Sequence, residues 1–377
     1  MFSKITNVNP IGKWVIVTGC DSGFGYEVTQ DLVRQGFGVI AGCLTQAGQQ
    51  KLVEACPHPA RLRALLCDVT RSEDLDGLVS EANKVSNGSL WGLINNAGIV
   101  RPGHTDYQSL ENYRHVMEVN YFAVVALTTL CMPMLKRGRG RVVNITSTCG
   151  IVAVPTNAPY NGSKYALEAF SDTLRRENSR WGIKVAIVEP GCMRTALSTS
   201  YGDAIRATYR QATQEIQEEY GDNFIEATID TSNKGMERLL QDPAKAISAI
   251  CHAISSKRPQ HRYRPGLDAK FLFYPLSIMP SLVVDPILNA SNGFARPQAL
   301  DSRGTTRYEF RRSFSTSLEQ TYEGWLNYLW KEGCKLPFPL ALLDEGDTHG
   351  KGCTRKITTV RNFNIQEGIT ETQFPHR

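Results

Sequence analysis

The sequence predicts a doubly wound α/β fold, a parallel sheet with helices on both faces. Three observations carry that expectation: short apolar runs that do not alternate, amphipathic segments between them, and small or polar residues wherever a run ends. "KWVIVTG" is the first run and closes on a glycine; the periodic "YEVTQDLVRQG" follows, then "FGVIAGCL". The alternation continues through "RLRALLCDVT", "LWGLINNAG", "GRVVNITS" and "IKVAIVEPG", with helical segments between them. Unbroken apolar runs suit strands covered on both faces, because neither face can then be polar.

From about Ser198 to Ser256 the pattern is mainly helical and rich in polar residues, and "YRPGLDAKFLFYPLSIMPSLVVDPIL" follows, aromatic and broken by prolines. After Ser291 the composition shifts to Gly, Thr, Arg and Ser, with two hydrophobic islands, "YEGWLNYLW" and "LPFPLALL". The expected organisation is a lead at 1–12, one domain at 13–290 whose region from about 196 to 290 lies beyond the strand–helix alternation, and an appended, partly disordered tail at 291–377.

Composition excludes several classes. With 41% hydrophobic and 21% charged residues the chain is an ordinary globular protein, not a disordered one. A formal charge of +5 without a dense basic block before the tail gives nucleic-acid binding no support. Ten cysteines stand singly, with no CxxC pair and no Cys/His cluster, so a reduced compartment and no metal are expected. No stretch of eighteen apolar residues occurs, and "MFSKITNVNPIGK" is too short and polar for a signal peptide or anchor. The expected location is cytoplasmic, with peripheral contact on an intracellular membrane such as the endoplasmic reticulum. The sequons at Asn144 and Asn161 fall inside the segments that carry the chemistry and are taken as chance.

The first strand runs into "TGCDSGFG", with Gly19, Gly23 and Gly25 before a helix. Glycines allow a tight turn and let the backbone approach a pyrophosphate, which the helix N-terminus attracts. The spacing departs from GxGxxG, so a ligand-free strand-to-helix turn remains an alternative. "CDVT" and "NNAG" end two further runs with Asp68, Asn95, Asn96, Ala97 and Gly98, where a doubly wound sheet lines its ligand crevice. "APYNGSKYALEAF" places Tyr160 and Lys164 at i and i+4, on one face of a helix. An ammonium held there favours the tyrosinate and lowers the phenol pKa, a general acid/base arrangement. Ser147 stands at a strand end thirteen residues earlier, and Asn120 in "VMEVN" on the preceding helix.

In order and spacing, TGxxxGxG, NNAG, a helix Asn, a strand-end Ser, YxxxK and "PGCMRT" resemble the short-chain dehydrogenase/reductases over roughly residues 10 to 290. "TGCDSGFG", "CLTQAG", "WGLINNAG", "EPGCMRT" and "YGDNF" are most similar to the retinol and hydroxysteroid dehydrogenase branch, to which 3-hydroxybutyrate dehydrogenase is related. No N-terminal anchor of the kind common in that branch is expected from "MFSKITNVNPIGK", and the tail from about Ser291 resembles no part of that branch. The resemblance implies a Rossmann-type fold, a homo-oligomer, Tyr160 as acid/base, Lys164 tuning it and holding ribose hydroxyls, Ser147 binding the substrate oxygen, and Asn120 keeping a water in a proton relay. It implies contacts from Gly19, Ser22, Gly23, Phe24 and Gly25 to the diphosphate and from Asp68 and Val69 to adenine. Asn96, Ala97 and Gly98 would meet the adenosine ribose region, and Pro190, Gly191 and Thr195 the carboxamide.

After the second strand stand Gly42, Cys43, Leu44, Thr45 and Gln46, offering neither the acid expected for NAD nor the base expected for NADP. A 2′-phosphate without a cation loses charge-assisted hydrogen bonds of roughly 1.5 to 3 kcal/mol each, so NAD is expected over NADP. The expected activity is hydride transfer to or from an apolar substrate such as a retinoid or hydroxysteroid. A small hydroxy acid is the alternative, for which Arg194 is the only cation near the site; a non-catalytic dinucleotide-binding regulator is a third reading. Residues 271 to 284 are expected to touch a membrane through Phe271, Phe273 and Leu276, with packing as core or at an oligomer contact as the alternative.

Overall fold

Seven strands pair in parallel in the order β3-β2-β1-β4-β5-β6-β7: β1 Trp14–Thr18, β2 Gly38–Cys43, β3 Leu62–Leu66, β4 Gly92–Asn95, β5 Arg141–Ile145, β6 Lys184–Val188 and β7 Arg262–Tyr263. The computed structural model describes residues 7–291 and 297–302. Six of the strands are those expected. The two-residue β7, held by Ile187 against Arg262 and Val188 against Tyr263, is too short to leave a pattern in the sequence.

Successive residues of a strand face opposite sides. Val15 and Val17 of β1 therefore join one core with Val39, Ala41, Val143 and Ala186, under α1 (Gly23–Gln35) and α11 (Ala244–Ser255). Ile16, Ile40, Leu93 and Val142 join the other, under α3 (Ser72–Val85) and α5 (Ala123–Gly138). Both faces are dry, which is the physical reason the strands read as unbroken apolar runs. The helical run Leu110–Gly138 is long and apolar enough to cross a bilayer by composition, yet Val116, Leu127, Cys131 and Leu135 of it are buried in the fold.

The strand order reverses between β1 and β4, so the turns after these strands part and leave a crevice at their carboxyl ends. Two helices frame that crevice from the sequence side: α2 (Gln46–Glu54) follows β2, and α6 (Ala158–Asn178) carries Tyr160 and Lys164. Over it lie α7 (Ala196–Thr199), α8 (Tyr201–Arg210), α9 (Gln214–Tyr220) and α10 (Asp222–Leu239). Ile205, Tyr209, Tyr220, Phe224, Ile225 and Ile229 form a core of their own there, closed by Tyr107. The expected tail from 291 lies outside the described residues except for 297–302, where Gln298 sits against Gly221 at the end of α9. The hydrophobic islands of the tail are likewise outside them.

Candidate active site

Backbone geometry shapes the floor of the crevice. Gly19 has φ +69°, and a Cβ there would stand 2.8 Å from the Cα of Ala97. A Cβ on Gly25 would stand 2.2 Å from the carbonyl oxygen of Gly19. Both positions demand glycine, one for its conformation and one for the close approach of α1 to the turn. Ser22 begins α1 with no side-chain cap and no acid follows in the first turn, so the helix N–H groups face the crevice. Asn96 fastens the next turn: its side-chain N–H groups donate to the carbonyls of Thr18 (2.8 Å) and Gly19 (3.1 Å). The N–H groups of Asn96 and Ala97 donate to Thr18 Oγ1. The amide of Asn96 is thereby spent on the protein itself. Asp68 likewise accepts from the N–H and hydroxyl of Thr70, which hold its carboxyl below the usual range.

At the end of β2 stands a residue that sequence reasoning missed. Asp21, from the glycine turn, accepts from Leu44 N (2.8 Å), Thr45 N (2.8 Å) and Thr45 Oγ1 (2.7 Å). A Cβ on Gly48 would strike this carboxylate at 2.4 Å, so α2 is built to admit it. The acid sought after the second strand is present in space, delivered from twenty-odd positions earlier in the chain.

Lys164, Tyr160 and Ser147 line the opposite wall, with Asn120 behind them. Lys164, buried on α6, donates from Nζ to the carbonyl of Ile145 (2.9 Å) and lies 5.5 Å from the centre of the Tyr160 ring. Burial pushes its ammonium down to about 8, against a pull upward from Cys149 and Glu168. Tyr160 departs from expectation. Burial pushes its phenol up, with Cys149 adding to the rise and a hydrogen bond with Ser147 opposing it, so in the protein alone desolvation of the phenolate outweighs any pull from Lys164. Ser147 also accepts from Cys149 N (3.1 Å), which fixes its hydroxyl at the strand end.

Asn120 is fully buried in a π-helical turn, Glu118–Phe122, that interrupts the helix between α4 (Leu110–Met117) and α5. Its Oδ1 accepts from Ile99 N (2.9 Å), and its Nδ2 donates to Ile99 O (2.9 Å) and Ser163 Oγ (3.0 Å). The side chain straps the "NNAG" turn to α6 and has no hydrogen left to give.

These groups share one cavity of about 710 Å³. Gly19, Ser22, Gly23, Phe24, Thr45, Asp68 and Val69 line one end. Asn96, Ala97 and Gly98 lie along it, and Ser147, Tyr160, Lys164, Pro190, Gly191 and Thr195 line the other end. Of the expected residues only Gly25 and Asn120 do not line it; they stand directly behind. Arg194 is exposed and borders a separate surface cleft with Glu27 and Pro243. Sequence reasoning also missed Tyr201, whose hydroxyl pairs with Thr156 Oγ1 at 3.1 Å, and Val154, Met236, Leu239 and Phe273, which give the catalytic end an apolar lining. No local motif marks these, because they come from four separate segments.

A glycine cradle at a helix N-terminus joined to a Tyr/Lys/Ser wall defines a dinucleotide-dependent oxidoreductase. The model of the short chain dehydrogenase family matches residues 13–206, and this chain belongs to that family, acting on the CH–OH group of a small substrate. It is 36% identical over 283 residues to 17-beta-hydroxysteroid dehydrogenase type 6 of Bos taurus, covering 74% of this chain and 88% of that one. It is 37% identical over 280 residues to retinol dehydrogenase 16 of Mus musculus, covering 73% and 87%. Among solved structures, a short-chain dehydrogenase from Streptomyces avermitilis is similar with a TM-score of 0.58 and 29% identity, over 78% of this chain and 98% of that one. A 3-ketoacyl-(acyl-carrier-protein) reductase from Brucella melitensis complexed with NADH shares the fold at a TM-score of 0.54 and 20% identity, over 68% of this chain and 97% of that one.

Proposed function

We propose that this protein interconverts an apolar secondary or primary alcohol, of retinoid or hydroxysteroid type, and its carbonyl, using NAD(H). The observation that carries the reading is the catalytic end of the cavity, where Ser147 and Tyr160 meet Val154, Leu197, Met236, Leu239 and Phe273. Two of the relatives bear retinol and hydroxysteroid dehydrogenase names. A hydroxy acid would need a cation for its carboxylate. Among the described lining residues the only basic ones are His115 and Lys164, and Arg194 is elsewhere.

The residues fit a dinucleotide: glycines whose Cβ atoms would fill the cradle, and unclaimed helix N–H groups facing it. When bound, the nicotinamide accepts or delivers the hydride. In reduction, the Tyr160 phenol, kept protonated by burial, would donate its proton to the substrate oxygen; in oxidation, only after losing that proton, the phenolate would take the alcohol proton. Ser147 donates a hydrogen bond to that oxygen as charge develops on it. Lys164 would hold ribose hydroxyls and favour the phenolate when protonation must reverse. The relay assigned to Asn120 falls to its backbone oxygen and remaining Oδ1 lone pair, since its amide hydrogens are taken. Asp21 supports NAD over NADP. A carboxylate beside Leu44 and Thr45 accepts from a ribose hydroxyl and repels a 2′-phosphate, and it already occupies the N–H groups a phosphate would use.

We also infer peripheral membrane contact through the segment 271–284 that the sequence suggested, with Phe271 kept and Phe273 and Leu276 withdrawn. Phe273 and Leu276 are buried against Val152, so they are core. Phe271, Ile278 and Leu282 are 76%, 73% and 76% exposed, beside Leu267 and Met279, and these would enter the acyl boundary. Exposed Leu110, Phe122 and Tyr165 on α4 to α6 suit contact with a second copy.

The test is a panel of a retinoid, a hydroxysteroid and 3-hydroxybutyrate with NAD and NADP. A higher kcat/KM for either lipid with NAD is the expected result; preference for 3-hydroxybutyrate would overturn the substrate class, and preference for NADP the cofactor. Flotation with liposomes should be lost when Phe271, Ile278 and Leu282 become serine. Equal flotation of the variant would remove the membrane contact alone.

A further inference from the structure

The loop Pro190–Thr195 is fastened from behind by one carboxylate. Asp268, 6% exposed, accepts from Cys192 N (2.6 Å) and from Gln241 Nε2 (2.6 Å). The fit is tight on both sides: a Cβ on Gly191 would stand 2.1 Å from Asp268 Oδ1, and one on Gly266 2.5 Å from it. Gln241 is itself tied to the loop, its N–H donating to Cys192 O (2.9 Å) and its carbonyl accepting from Arg194 N (3.0 Å). The side-chain oxygen of Gln241 accepts from Leu267 N (3.0 Å) and Lys245 Nζ (2.8 Å), so the lysine serves the far end of the amide.

Every hydrogen-bond partner of the Asp268 carboxylate is therefore neutral, and among the described residues no lysine, arginine or histidine nitrogen lies within ion-pair distance of it. The neighbouring Cys192 thiol is pushed up to about 12, first by burial and then by this carboxylate, so it adds no second anion. A buried charge with only neutral partners is destabilising unless a cation comes to it. Both carboxylate oxygens accept here, so an asparagine, with one oxygen and one N–H2 donor, would keep only one of the two bonds. Gly191, Cys192 and Met193 form the cavity wall directly in front of the carboxylate.

We propose that Asp268 is the counter-charge for the oxidised nicotinamide, a residue that makes the site discriminate between the two redox forms of its cofactor. The inference rests on the NAD(H) reading above. The oxidised ring carries a positive charge and the reduced ring none, so a carboxylate one residue behind the wall tightens binding of the first and leaves the second unaffected. That bias favours alcohol oxidation at a given cofactor ratio.

The test is a titration of the full chain, NADH by its fluorescence and NAD+ by competition. Asp268→Asn is expected to weaken NAD+ about tenfold or more while NADH moves by less than about twofold; tenfold is the size expected for one charge pair about 12 Å apart at an effective dielectric near 20, and a closer pair gives more. Gln241→Lys, which sets a cation beside the carboxylate, should shift the ratio the same way and serves if the asparagine variant does not fold. Gln241→Ala loosens the clamp with the charge in place and should move both constants together. If Asp268→Asn or Gln241→Lys changes both equally, or neither, Asp268 is only a clamp and the inference fails. Wild-type protein that binds neither form would instead remove the cofactor reading itself.

Discussion

The floor of the crevice and its cover are built on different principles. The floor is backbone: turns after β1, β4 and β5 held by Thr18, Asn96, Asn120 and Ser147 through hydrogen bonds to main-chain atoms, with glycines where no Cβ fits. The cover is held by side chains meeting one another. His104, Tyr107, Tyr209, Tyr220 and Phe224 pack ring against ring, and Tyr220 donates to Asp106 at 2.5 Å. Arg262 then ties the strand before the last cover segment to Glu168, Asp172 and the fully buried Glu189, which Arg264 also meets at 2.6 Å. A floor made of backbone does the same chemistry whatever side chains surround it, whereas a cover made of side chains is free to vary the substrate.

The largest test of that division falls on the floor's chemistry. Tyr160→Phe should lower kcat by about a hundredfold to ten-thousandfold, the range for one general acid/base, while the dissociation constant for NAD stays within about twofold. Full activity would separate proton transfer from this wall altogether. The join between floor and cover should be the next most sensitive. Arg262→Ala strips one partner from a buried ion network and should cost about 3 kcal/mol in urea unfolding. A loss under about 1 kcal/mol would mean that Arg264 alone satisfies Glu189.

Cofactor preference belongs wholly to the floor. Thr45→Arg alone would pair with Asp21, so its gain for NADP should be small; Asp21→Ser with Thr45→Arg should raise NADP affinity about tenfold or more, one charge-assisted bond. Additive effects of the two substitutions would show that the carboxylate does not govern the site.

Lys164 gives a smaller, pH-dependent effect. Its folded pKa of about 8 is below the ordinary 10.5, so the unfolded chain binds more protons between those values and stability rises with pH through that window. Relative to Lys164→Met, wild-type thermal stability should therefore improve from pH 8 to about 10.5 and not change below it. The smallest effect expected is from shortening the chain after Ser302, which keeps Gln298 against Gly221 and should leave kcat/KM within about twofold. A large loss would bring the remaining 75 residues (377 less 302) into the cover.

The floor was legible in the sequence because its parts are contiguous. A strand must be followed by a tight turn, and the turn must be glycine or small, so "TGCDSGFG" and "NNAG" announce both the backbone and its use. Tyr160 and Lys164 are legible because helix periodicity alone places them together. The cover was legible only as a polar-rich helical stretch followed by an aromatic, Pro-broken one. Phe271 and Phe273 are two residues apart in the π-helical turn Ala269–Phe273 before α12 (Tyr274–Ser277), so they face nearly opposite sides, one exposed and the other core. Both are phenylalanine, so packing and not residue type decides which faces inward.

The sequence by itself determined the sheet, the glycine turn and the Tyr160/Lys164 pair, because each depends on residues within about one turn or one strand of each other. Tertiary structure decided what depends on residues far apart in the chain. It set Asp21 at the end of β2, turned Arg194 out to the surface, and put Asp268 behind Gly191, 77 positions earlier (268 less 191). It also reversed the expected direction for Tyr160. Helix periodicity fixes how near Lys164 lies, but how much water reaches a phenolate is a property of everything packed around it, and here burial is the stronger of the two.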